Sequence, residues 1–220
     1  MELKFLGHAC FLLDDGACKV LTDPFLTGNP LAAAKADEVE ADFICVTHGH
    51  GDHVGDSVEI AKRTGAAVCC TVDLGDAVYA STGVQYMTGN LGGRMPTAFG
   101  SVKFFQALHG SGVPGVSSCG FIFEMGGKKI YHAGDTGLMT DMALLAEEEI
   151  DVALLPIGDL YTMDPKDALR AVKMIRPKLV IPMHYNTFPA IAQDADAFAA
   201  AVEAAGFGAK VLRPGESTEI

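Results

Sequence analysis

The sequence predicts an α/β fold in which two β-sheets are covered by helices. Three observations lead there. Strand-like apolar runs dominate the start and the middle of the chain. Each β-rich block is followed by strand–helix alternation. No linker, short-period repeat or low-complexity tract interrupts the order. A chain of 220 residues can bury one sizeable core, and residues 1–220 are read as a single domain.

The elements follow in order. "ELKFLG", "CFLLDD" and "CKVLTD" read as strands, with "DDGA" as the hairpin turn between the last two. After the Pro/Gly-bearing loop "DPFLTGNP" comes the short β-branched run "DFICVTH". The segment "DSVEIAKRTG" reads as a helix with Asp56 as N-cap, Glu59 three positions on and Gly65 as its stop. "AAVCCTV" is another strand, and "DLGDAVYASTG" repeats the helical grammar with Asp73, Asp76 and Gly83. "SVKFFQALH", "CGFIFEMGG" and "KKIYHAGD" are strands, the last two joined by the tight turn in "EMGGKK". "VALLPIG" is a strand. "DPKDALRAVKMIRP" is a helix opened by an Asp cap and a Pro at its first position. "KLVIPMH" (strand), "DADAFAAAVEAAG" (helix) and "KVLRPG" (closing strand) complete the chain.

Composition excludes several classes. The formal charge of −12 and the lack of any Lys/Arg cluster argue against nucleic acid as a partner. No apolar run approaches the roughly 18–20 residues that span a bilayer, and the N-terminus lacks the features of a secretion signal. A cytoplasmic protein without a membrane partner is expected, and a homo-oligomer is left open. The six cysteines form no CxxC pair and sit in apolar runs, as reduced core thiols do. The acidic run "AEEEID" reads as a solvated helix end. No GxSxG or P-loop motif is present and no GxGxxG opens a helix, so neither a serine nucleophile nor a nucleotide cofactor is signalled.

The chemistry concentrates in "THGHGDHVGD", residues 47–56. His48, His50 and Asp52 are spaced by two. On extended chain they share a face, whereas on a helix they would diverge. Gly49 and Gly51 let the backbone turn closely, and His53 points elsewhere. His48 and His50 can serve one cation, Asp52 and His53 a second. Each ion still needs ligands, since a catalytic zinc takes about three from the protein. His109, Asp135 and His184 supply them: each comes at the carboxyl end of a strand, where α/β sheets place their sites. Imidazole and carboxylate suit zinc first, with manganese or iron as alternatives.

"THGHGDH", followed by His109, Asp135 and His184 in that order, resembles the signature of the metallo-β-lactamase superfamily, and the resemblance covers the whole chain. "GHACF", "DPFLTGNP", "HAGDTG", "PIGDLYTMDPKDA" and "MHYNTFP" resemble a narrower branch. Its members are bacterial and archaeal metal-dependent hydrolases of unassigned substrate, related to L-ascorbate 6-phosphate lactonases. The resemblance implies a four-layer αββα sandwich holding two divalent metal ions. His48, His50 and His109 would bind one, Asp52, His53 and His184 the other, and Asp135 would bridge them. Asp52 and His8 are the catalytic candidates, His8 as proton donor to a leaving group or as a substrate contact. His132 reads as a buried supporting residue. Asp23 either fixes a ligand imidazole or forms the turn before Pro24. Tyr161 and Asn186 are candidates to line the pocket. The implied activity is hydrolysis of an ester-like bond in a small molecule, a lactone or a phosphorylated metabolite. A nucleotide or lipid phosphodiesterase is the nearest alternative, and a non-hydrolytic metal-containing binding or sensing protein is the alternative of another class.

Overall fold

The computed structural model describes residues 1–220. Strands β1 (Glu2–Gly7), β2 (Cys10–Asp14) and β3 (Lys19–Thr22) form an antiparallel meander. To it β4 (Phe43–Cys45), β5 (Ala67–Thr71) and β6 (Tyr86–Gly89) add in parallel. The second half repeats this scheme. β7 (Arg94–Thr97), β8 (Gly100–Gln106), β9 (Cys119–Met125) and β10 (Lys128–His132) are antiparallel. β11 (Val152–Pro156), β12 (Leu179–Met183) and the two-residue β13 (Gly208–Ala209) follow in parallel. β14 (Ser217–Glu219) returns to pair with β1. Two mixed seven-stranded sheets result. Helices α1 (Gly51–Val54), α2 (Ser57–Thr64), α3 (Val72–Leu74), α4 (Pro165–Ile175) and α5 (Ala195–Ala204) lie between or beyond the strands.

The layering follows from period-two patterning. On β4 and the residue after it, Ile44 and Val46 face α2 and share a cluster with Ile60 and Ala61. Cys45, between them, faces the other sheet. Phe11 from the first sheet and Phe104, Phe121 and Phe123 from the second fill the space between, all fully buried. Each contributes about 1.5–3 kcal/mol of burial. The outer face of the second sheet is covered by Ala168, Val172 and Ile175 of α4 and by Phe198 and Val202 of α5. The expected sandwich of two sheets flanked by helices is the observed architecture. No helix is long and apolar enough to cross a membrane.

Most local signals read as expected. Asp164 caps α4, its Oδ1 accepting from the Asp167 N–H at 2.6 Å, with Pro165 at the first position. Gly126 and Gly127 both have positive φ, +56° and +75°, which lets a two-residue loop close β9 onto β10.

Other expectations need correction. "KVLRPG" is not a strand: only Gly208–Ala209 pairs with β12, and the edge partner of β1 comes later, at Ser217–Glu219. β6 and β7, unmarked in the sequence, form the far edges of the two sheets. Asp56 stands at the N-cap position of α2 without capping it, because its Oδ2 accepts from the Leu26 and Thr27 N–H groups instead. The helix after β5 starts at Val72 and passes into a wider π turn, Gly75–Tyr79, with no side-chain cap.

The acidic run is also more than a solvated end. It closes a 3₁₀ segment, Thr140–Glu148, and Glu148 accepts from Lys103 Nζ at 2.6 Å, with Arg94 Nη2 at 3.6 Å. The Lys103 hydrogen bond holds the Glu148 carboxyl below its usual range. A carboxyl lowered in the folded state stabilises above its unfolded pKa, and the effect is lost as pH falls through the lowered value. Glu148→Gln is therefore expected to cost up to about 1 kcal/mol at neutral pH. In urea titrations the two proteins should converge as the pH drops below the carboxylate range. A pH-independent difference would assign the loss to packing instead.

Candidate metal centre

Within the first sheet β1, β3 and β4 point the same way, and within the second β8, β10 and β12 do. Their carboxyl ends meet at one edge. His8 follows β1, Asp23 follows β3, and His48 lies three residues past the end of β4. His109 and Asp135 each lie three residues beyond β8 and β10, and His184 directly follows β12. His109 is thus in a loop and does not end its strand. Two glycines allow that loop to reach the histidine-rich turn. The Gly49 N–H donates to the Ser111 carbonyl at 2.8 Å, and a Cβ on Gly49 would press on that same oxygen. Gly112, at φ +73°, packs its backbone against the His50 ring, where no side chain fits.

The expected extended run from His48 to Asp52 stops halfway. His48 and His50 do share a face, with His48 Nε2 and His50 Nδ1 2.9 Å apart. The chain then turns helical at Gly51, as α1, and this swings Asp52 and His53 together toward the β12 side. Three groups of convergent donor atoms follow. His48, His50 and His109 form one; His8, Asp52, His53 and His184 form another; His48, His53 and Asp135 form the third. Every sequence-nominated metal residue is in one of these groups, and His8 joins them.

Asp135 sits at the centre, 3 % exposed. Its Oδ1 lies 3.3 Å from His53 Nε2, and its Oδ2 lies 3.1 Å from His184 Nε2 and 3.5 Å from His109 Nε2. Yet His53 Nε2, His184 Nε2 and Asp135 Oδ1 make no hydrogen bond despite being buried. Buried donors and acceptors left unpaired in such number are costly. Cations bound among lone pairs satisfy them, and the imidazole–carboxylate set fits a divalent transition metal.

Behind the cluster, Asp23 is fully buried. It accepts from the Thr47 N–H and Thr47 Oγ1, both at 2.8 Å, and pairs with His53 Nδ1 at 2.8 Å. Thr47 Oγ1 also meets His48 Nδ1 at 2.9 Å. The single hydroxyl proton goes to the carboxylate, so His48 Nδ1 carries a hydrogen and its Nε2 offers a lone pair to the cluster. Of the two roles open to Asp23 in the sequence, orientation of imidazoles is the one its geometry serves. His132 engages both ring nitrogens, Nε2 with the Ala9 carbonyl at 2.9 Å and Nδ1 with the Gly134 N–H at 3.1 Å, and so ties the two sheets together. Tyr161 points to solvent, 57 % exposed, whereas Asn186 lines a cavity beside His8.

The electrostatics follow from burial and proximity. Burial, then the neighbouring His53, holds His48 well below the usual imidazole range, and burial also lowers His109. Burial opposes charge on His53, but Asp135 and Asp23 on either side raise it well above the usual value. Burial likewise opposes charge on Asp135, but His53 and His184 hold it well below the usual value. Burial outweighs the Asp52 hydrogen bond at His8 and lowers it to about 4. His8 is therefore neutral at pH 7. Its Nε2–H donates to Asp52 Oδ2 at 3.2 Å, and its Nδ1 accepts from the Thr187 hydroxyl at 2.8 Å. Thr47 and Thr187 were not singled out in the sequence. The one legible signal was a hydroxyl adjacent to a histidine in "THGH".

A profile of the β-lactamase superfamily domain matches residues 2–184. A UPF0173 metal-dependent hydrolase of Symbiobacterium thermophilum is 52 % identical over 222 residues, covering 99 % of each chain. A UPF0173 metal-dependent hydrolase of Thermus thermophilus is 48 % identical over 221 residues, covering 98 % of this chain and 97 % of that one. Among solved structures, Igni18, a metallo hydrolase from the archaeon Ignicoccus hospitalis, superposes with a TM-score of 0.93 at 36 % identity, covering 100 % of this chain and 98 % of its own.

Asp23→Asn replaces an acceptor oxygen with an NH2 group while keeping the shape. The metal-stripped variant is expected to lose about 2–3 kcal/mol in urea unfolding. An unchanged midpoint would mean that Thr47 and His53 are not held through Asp23.

Proposed function

This chain belongs to the metallo-β-lactamase superfamily, and from that premise we propose that this metal-dependent hydrolase works through a dinuclear site on an ester-like bond of a small substrate, a lactone or a phosphorylated metabolite. The observation that supports two ions is the position of Asp135. One buried carboxylate lies against both ligand sets: its Oδ2 is 3.5 Å from His109 of one, and its Oδ2 and Oδ1 are 3.1 Å from His184 and 3.3 Å from His53 of the other. In this reading His48, His50 and His109 hold one divalent cation, Asp52, His53 and His184 hold the second, and Asp135 joins them. Zinc fits the donors, as do manganese and iron. Such ions, when bound, acidify water and polarise the bond to be cleaved.

The chain's own residues then divide the remaining work. Asp23 and Thr47 fix the His53 and His48 rings. Asp52 is the carboxylate that reaches the open side, its side chain 30 % exposed against 4 % for Asp135. It is placed to take a proton from the attacking water. His8, oriented by Thr187, holds Asp52 Oδ2 and carries at Nε2 the proton nearest to it. We assign to Asp52 the return of the proton it takes up to the leaving oxygen, and to neutral His8 the holding of that carboxylate in place through both transfers.

Elemental analysis of gently purified protein is expected to give about two ions per chain. Asp135→Asn and His50→Ala should each lower that number and reduce lactone or ester turnover at least about 100-fold. One ion at full activity would remove the dinuclear reading. Turnover of bis(p-nitrophenyl) phosphate but of no lactone or carboxylic ester would move the substrate class to phosphodiesters.

A further inference from the structure

His8 also belongs to a second feature. It is the one member of the metal-capable groups that lines a cavity of about 660 Å³. That volume lies within the roughly 300–1,000 Å³ of small-molecule sites. The cavity runs away from the cluster along β1. Phe5, Leu31, Tyr185 and Val211 give it apolar walls, and Tyr185 and Asn186 come from the loop that carries His184. The segment bearing Arg213 is tied to Phe5: the Gly215 N–H donates to the Phe5 carbonyl at 2.7 Å, and the Phe5 N–H to the Glu216 carbonyl at 3.0 Å. These bonds seat the Arg213 segment beside Phe5, three residues before His8 in the chain.

Arg213 is the unspent charge of this cavity. Its N–H donates to Glu216 Oε2 at 2.9 Å, while its exposed guanidinium has no partner. Two acids share the rim, and neither is paired with the guanidinium. Asp194 Oδ1 caps α5 through the Ala197 N–H at 2.9 Å, and Asp196 sits in the first turn of that helix, where the helix dipole favours negative charge. Of the nearby loop cations, Lys35 faces Glu38 at 3.5 Å and Lys210 Nζ donates to Thr218 Oγ1 at 2.7 Å. A negative charge on a substrate has Arg213 to meet it.

We propose that this cavity binds the non-reacting part of the substrate: an apolar chain or ring that reaches from His8 to Arg213 and ends in an anionic group held by the guanidinium. The assignment rests on the hydrolase reading above and narrows its substrate class to amphipathic esters with a distal carboxylate or phosphate. Arg213 is then a specificity residue, distant from the bond that breaks.

Calorimetry on the metal-loaded protein tests this with two probes of equal chain length, monomethyl suberate and its neutral dimethyl diester. The wild type is expected to bind the half-ester about tenfold more tightly. Arg213→Gln, which breaks no side-chain contact, should abolish the preference with no change in Tm. Val211→Trp, which fills the cavity, should weaken both probes. Equal binding of the two by the wild type, or a preference that survives in Arg213→Gln, overturns the assignment. The p-nitrophenyl half-esters separate the two readings. Binding with this pattern but without turnover counts against the hydrolase and leaves the cavity assigned. Turnover with the same KM in wild type and Arg213→Gln does the reverse.

Discussion

Asp135 is a carboxylate removed from water in a chain that already carries a charge of −12. An isolated buried ion costs several kcal/mol even after relaxation, so its surroundings must compensate. They do so with imidazoles drawn from three separate loops, His53, His109 and His184. Much of the fold's geometry can be understood as the means of bringing those loops together. Each half of the chain makes an antiparallel meander and then parallel crossovers, so that strands of the same direction end at the same edge.

That edge is also where the two sheets are bonded to each other. The Cys119 N–H donates to the Thr47 carbonyl at 3.0 Å, Gly49 N–H to the Ser111 carbonyl at 2.8 Å, and His184 N–H to the His8 carbonyl at 2.8 Å. His132 adds its link to Ala9. In the interior between the sheets the contact is apolar packing, which fixes distance but tolerates small slides. Directional hydrogen bonds at the site edge fix register as well. Several residues there accept left-handed backbone, His8 at φ +60°, Asp23 at +37° and His184 at +55°. Such conformations persist where surrounding contacts over-determine them, and these bonds supply that constraint.

The sequence made the local part of this legible. The HxHxDH spacing lies within six residues, and the caps of α4 and α5 and the Gly126–Gly127 turn are equally short-range signals. The strands that lead to His109, Asp135 and His184 could be found because apolar runs stop visibly. What stayed hidden was set by distant chain. Thr187 meets His8 across 179 positions, and no periodicity encodes that. β6 and β7 have half-exposed residues and owe their strand form to the neighbours they pair with. Asp56 has the sequence of a cap, but the loop at Leu26 and Thr27 offers its carboxylate two donors, and tertiary structure overrides the local preference. The turn at Gly51 breaks the extended spacing for the same reason. Two separate donor groups require His50 and Asp52 to part, and a helical start does what a continued strand could not.

The division of labour between cluster and cavity follows from charge. A cluster built to hold cations has imidazoles and carboxylates as its whole inventory, and a lysine or arginine among them would compete with the metal for the same lone pairs. Recognition of an anionic substrate must therefore be displaced from the reacting centre. In this chain the displacement runs along β1, from His8, which belongs to both places, to the segment that Phe5 holds by its backbone on both sides. Chemistry is fixed at the strand ends, where many hydrogen bonds constrain each ring. Selectivity sits on an exposed arginine whose side chain nothing else in the protein uses, so it can change without disturbing the fold or the metal-capable groups.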